Sequence, residues 1–145
     1  MKEIYYLNQK QLPTIPVPHD GVIKEIHLED DYLIFVFEDD ISYHDSIKSI
    51  RPDIRSLIMK FHFVDSIYDI NLFVRKKTNR VLHKAGVYKE YELSQNRKIL
   101  TDLTKNNLEY LYHNVGYCSI IIKLWSYESI IFDITSDYVE LEWIE

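Results

Sequence analysis

The chain has 145 residues, of which 46% are hydrophobic, 14% aromatic and 28% charged, and it carries a net charge of −6 at pH 7. That length and balance describe a single globular domain over residues 1–145 and exclude a disordered or fibrous chain. Its one cysteine, Cys118, excludes an internal disulfide and a four-cysteine zinc site, and its longest apolar runs fall far short of the roughly 20 residues that a membrane-spanning helix needs.

The first residues, Met1 to Tyr6, lack the continuous apolar core of a secretion signal, so a cytoplasmic location is expected. Pro13, Pro16 and Pro18 then mark an extended segment that ends in a turn at His19–Asp20–Gly21, because each proline biases its predecessor away from helix. The first sheet strand is expected just after it. From Val22 to Leu28 apolar and polar residues alternate, Asp30–Asp31 interrupt, and Tyr32 to Phe37 follows, which predicts a hairpin with an acidic turn.

A short helical turn is expected at Ser46 to Ile50. β-Branched and aromatic runs predict further strands over Ser56 to Val64, Tyr68 to Arg75, Val87 to Leu93, Leu108 to Val115, Cys118 to Trp125, Ser129 to Ile134 and Tyr138 to Ile144. Turns are expected at 114–116, 126–128 and 135–137, and a helix over Ser94 to Lys105, where Ile99, Leu100 and Leu103 recur at helical spacing. About nine short strands with one or two short helices predict a mainly β, antiparallel sandwich or barrel. Cys118 reads as a small core-side residue of its strand.

Charge is blocked along the chain. Residues 1–70 hold 13 acids and 7 bases, residues 71–105 hold 3 acids and 9 bases, and residues 106–145 hold 7 acids and 1 base. Arg75, Lys76, Lys77, Arg80, Lys84 and Lys89 lie close to Tyr88 and Tyr91, the ingredients of a phosphate-tracking surface, but the acidic remainder repels nucleic acid and no RNA-binding signature accompanies them.

His19–Asp20 and His44–Asp45 are similar to the dipeptide of HD phosphohydrolases, yet the first follows a proline-rich loop and neither sits in the helical context that family uses. Asp39, Asp40, His44 and Asp45 gather hard oxygen ligands and an imidazole within seven residues, which makes them the candidate metal set, although no calcium-loop spacing is present. His27, His62, His83 and His113 are scattered singly. Only three glycines occur and no phosphate-binding or nucleophile-elbow motif is found, so no cofactor is expected.

These features point to a non-enzymatic interaction protein that binds another macromolecule, a basic protein, through a rigid sheet face or strand edge. The acidic charge resembles in kind that of bacterial immunity proteins, a resemblance that implies only a basic partner. Heavy use of Lys, Ile, Asn and Tyr also matches an AT-rich bacterial genome. The candidate binding residues are Asp30, Asp31, Asp39 and Asp40 for electrostatic attraction, with Tyr138 and Trp143 as anchors. The strand Tyr138 to Ile144, read as an edge, would offer a homodimer contact. A barrel carrier of a small ligand and a metal-assisted hydrolase built on the 39–45 segment are the competing expectations.

Overall fold

The structure is a computed structural model that describes residues 1–75 and 87–145. Lys76, Lys77, Arg80, Lys84 and His83 lie outside the described residues, so the basic cluster is described only at Arg75 and Lys89.

Among the described residues nine antiparallel strands form one sheet: β1 (Lys2–Tyr6), β2 (Val22–Glu29), β3 (Tyr32–Phe37), β4 (Ser56–Phe63), β5 (Ile70–Arg75), β6 (Tyr88–Tyr91), β7 (Leu108–Gly116), β8 (Ser119–Trp125) and β9 (Ser129–Ile144). β2, β3, β4, β9, β8 and β7 pair in that order, and a short β2–β7 ladder of two residue pairs closes the ring into a barrel. Among the described residues there are two short α-helices, α1 (Asp45–Lys48) and α2 (Lys98–Leu103), and α2 packs on β2. No helix among the described residues is long and apolar enough to cross a membrane.

Antiparallel strands of this kind bury one face, and the alternation is visible in β4, where Leu57, Met59, Phe61 and Phe63 point inward. The interior is filled by aromatic rings. Phe35 lies at the centre, edge-on to Phe61, Phe132 and Tyr110 at centroid distances of 5.1, 5.5 and 6.4 Å. Each such pair adds roughly 0.5–1.5 kcal/mol beyond the burial of its area. Gly21 sits where a Cβ would come within 2.6 Å of Ile41 and 2.9 Å of the Pro18 carbonyl, so only glycine lets the proline-rich segment turn into β2.

The expected strand count holds through two differences that offset each other. β1 lies before the proline-rich segment, where no strand is expected from the sequence, because its Glu3 and Tyr5 alternate with Lys2, Ile4 and Tyr6 too briefly to be read as a pattern. Conversely, the expected turn at 135–137 is strand: β9 runs unbroken for 16 residues. Asp137 is an extra residue in it, since His62 pairs with Tyr138 and Phe63 with Ser136. This β-bulge reverses the inward parity, so that Ile130, Phe132, Ile134 and Ser136 give way to Val139, Leu141 and Trp143.

Three other expectations are corrected. β9 is not an edge, because β4 and β5 pair with one side of it and β8 and β1 with the other, and this leaves no backbone groups for a dimer through the C-terminal strand. Cys118 lies in the tight turn between β7 and β8 with φ of 50°, half-buried, rather than in a strand. The helix expected from Ser94 begins at Lys98, preceded by a turn in which Gln95 and Asn96 donate to the Glu92 carbonyl.

Candidate functional site

The bulge in β9 keeps Ser136 inside and brings the next two residues out on the same face. Ser136 is buried and donates its hydroxyl to the Tyr138 carbonyl at 2.9 Å, closing the bulge from within. Asp137 and Tyr138 emerge on the outer face beside His62 of β4 and Tyr32 of β3. The His62 ring stacks on Tyr138 with centroids 4.6 Å apart and planes 8° from parallel. Tyr32 meets both edge-on, 5.2 Å from His62 and 6.1 Å from Tyr138, and Tyr6 of β1 adds a tilted contact to Tyr138 at 5.9 Å.

Polar contacts lock these rings. His62 Nδ1 lies 2.5 Å from Asp137 Oδ1, and since a carboxylate only accepts, Nδ1 carries the proton. The Tyr32 and Tyr138 hydroxyls share a hydrogen bond. Burial first, then that bond and the charges of Asp137 and Glu140, push the Tyr138 hydroxyl far above the ordinary phenol range, so it stays a neutral donor. A group of large side chains with fixed rotamers loses little entropy when it is covered by a partner.

Asp30 and Asp31 form the exposed turn between β2 and β3, immediately before Tyr32, and the Asp31 carbonyl accepts from the Phe63 amide at 3.0 Å. Among the described residues neither carboxylate has an ion pair, in contrast to Glu140 and Glu142, which face Lys2 and Lys60. The acidic turn and the tyrosine cluster therefore share one end of the barrel. Tyr68, in the turn that enters β5, is 72% exposed there as well.

The six residues expected to bind do not converge. Asp30, Asp31 and Tyr138 come together, while Asp39 and Asp40 follow the far end of β3, where Asp39 is partly neutralised by Lys24 at 3.8 Å and Arg55 at 4.0 Å. Trp143 is a core residue, 2% exposed, and cannot serve as an exposed anchor. Its indole donates to Glu3 Oε1 at 3.1 Å, and the Arg51 guanidinium lies over its ring. Arg51 and Tyr5 also bond to Glu3.

Nor does the expected metal set assemble. Asp40 precedes a single helical turn, Asp45 opens α1, and the buried His44 Nε2 has no polar partner. Among the described residues no three His, Cys, Asp or Glu side chains gather as a metal would require. His19 Nδ1 bonds to the Leu111 carbonyl at 2.8 Å, in keeping with a structural part for the first His–Asp pair.

Sequence reasoning missed Tyr6, Tyr32, His62 and Asp137. Tyr32 and His62 lie opposite one another in the β3–β4 ladder, a register that the long connection between those two strands leaves open in the sequence. The other two depend on the bulge and on β1. No family model matches the chain, and searches of curated proteins and of solved structures found no match to it.

Proposed function

We propose that the chain is a protein-binding module that docks a basic partner on the acidic, tyrosine-rich end of its barrel. One observation carries this reading: a preorganised, partly buried cluster of Tyr32, His62 and Tyr138 on the outer face stands beside two carboxylates, Asp30 and Asp31, that no described cation neutralises. Aromatic side chains with a polar tip are the side chains that dominate the energetics of protein interfaces, and unpaired surface carboxylates speed the encounter with a positive surface.

The aromatic filling of the barrel interior supports recognition on the outside of the sheet rather than within it. The His62–Asp137 pair has the form of a base held by a carboxylate, but the one polar side-chain contact His62 makes among the described residues is with Asp137, and no described nucleophile is hydrogen-bonded to it. Binding uses everything the cluster offers.

The test is affinity capture from a lysate of the source cell with three baits: the wild-type chain, Asp30→Lys/Asp31→Lys and Asp39→Lys/Asp40→Lys. A basic protein held by the wild type and by the second variant, and lost by the first, is the expected result. Capture that is insensitive to the first variant, or no specific capture by the wild type, overturns the reading. With the captured protein purified, the first variant is expected to slow association by roughly tenfold, an effect that fades at high salt.

A further inference from the structure

We infer that the chain forms a symmetric homodimer through the free edge of β1, paired antiparallel with β1 of a second copy about a two-fold axis at Ile4. The ladder geometry fixes which groups are available. The Trp143 amide donates to the Met1 carbonyl, and the Leu7 amide donates to the Asp137 carbonyl, at 2.8 Å each, so Met1, Glu3, Tyr5 and Leu7 direct their backbone toward β9. Antiparallel pairing alternates, and the amides and carbonyls of Lys2, Ile4 and Tyr6 therefore point away from it. Among the described residues no other strand pairs with β1.

Such an edge is a template for another strand, and proteins usually blunt it with charge, proline or a covering segment. β1 carries one charge on its outer face, Lys2, while Ile4 and Tyr6 are 48% and 50% exposed. The sequence is complementary to itself in the one register that pairs all three outward residues. With Ile4 opposite Ile4 of the second copy, Lys2 falls opposite the second copy's Tyr6, and Glu3 opposite the second copy's Tyr5. Every outward amide and carbonyl of the three residues then finds a partner.

No like charges oppose one another in this register, two exposed isoleucines cover each other, and each Lys2 ammonium meets a tyrosine ring, a favourable cation–π pairing. The two-fold operator makes the contact isologous and closed, so it yields a dimer and not a fibre. It also sets the two Tyr6–Tyr138 contacts on one continuous outer surface. The inference stands on β1 alone and does not require the proposed basic partner.

The experiment is sedimentation velocity of the full chain from about 1 to 300 µM, with amide exchange followed by NMR over the same range. The wild type is expected to pass from monomer to dimer, with the Lys2, Ile4 and Tyr6 amides gaining protection as it does. Ile4→Pro removes an outward donor that β9 does not use, and Ile4→Lys sets two ammonium groups against each other on the axis. Both are expected to remain monomeric, and Tyr127→Lys, at the exposed β8–β9 turn, to dimerise as the wild type does. If Ile4→Pro fails to fold, Ile4→Lys decides, since its side chain is half-exposed. A wild type monomeric throughout, a dimer that survives Ile4→Lys, or a dimer in which the three amides stay unprotected overturns the inference.

Discussion

His62 lies flat on Tyr138 because Asp137, one residue before Tyr138, is an extra residue in its strand: the bulge brings the carboxylate to the imidazole Nδ1 and the phenol ring beneath the imidazole face. The same insertion sets the inward parity of the last third of β9. One residue thus serves both the core and the surface cluster.

Deleting Asp137 is expected to abolish folding. Without the bulge, Val139, Leu141 and Trp143 would turn outward and Glu140 and Glu142 inward, the consequence of a one-residue slip in any strand with one buried face. Asp137→Ala keeps the backbone and is expected to fold, with a loss of about 1–2 kcal/mol from the missing partner of His62. Urea titration followed by circular dichroism separates the two outcomes.

Glu3 binds Tyr5, Arg51 and the Trp143 indole at the inner side of β1. Burial raises its pKa, but the hydrogen bonds from Tyr5 and Arg51, the guanidinium charge and the indole together outweigh it and hold the carboxyl below 4.5; the Tyr5 hydroxyl is pushed up to about 12, by burial first and then by Glu3. A depressed carboxylate stabilises the fold above its unfolded pKa, and that contribution is lost as pH falls through the folded value. The wild type is therefore expected to lose stability below about pH 4.5 more steeply than Glu3→Gln, which is expected to be about 1–2 kcal/mol less stable at pH 7. Melting temperatures at a series of pH values give both slopes.

His113 ties the proline-rich segment to β7. Its Nε2 donates to the Ile15 carbonyl at 3.0 Å, so in the neutral ring Nδ1 accepts from the buried Tyr110 hydroxyl at 2.6 Å. Burial lowers the His113 pKa below 6.5, against a smaller opposing effect of the Ile15 bond. For a base with a depressed folded pKa the stabilisation is complete above the unfolded value and declines as pH drops below about 6.5. Between pH 7 and 5 the wild type is expected to lose stability, and the Asp20 amide, bonded to the Tyr110 carbonyl, to exchange faster. His113→Gln removes the titrating group and is expected to flatten that window; an unchanged slope would remove His113 as its cause.

By itself the sequence determined the class of the fold. Period-two alternation in segments such as Leu57 to Phe63 is a local property, since successive side chains of any strand face opposite sides, and it marks the buried set wherever the strand ends up. It also carried the separation of the Asp30–Asp31 and Asp39–Asp40 pairs to opposite ends of β3, because an extended strand has a fixed rise per residue. What only the tertiary structure decided was pairing. Whether Tyr138 to Ile144 lay at an edge, whether Trp143 faced solvent, and which histidine met which carboxylate depended on contacts between strands up to 142 positions apart, as between Met1 and Trp143. A bulge changes parity through its neighbour in space, and a strand edge is free or filled according to what packs beside it; neither leaves a mark in the local pattern.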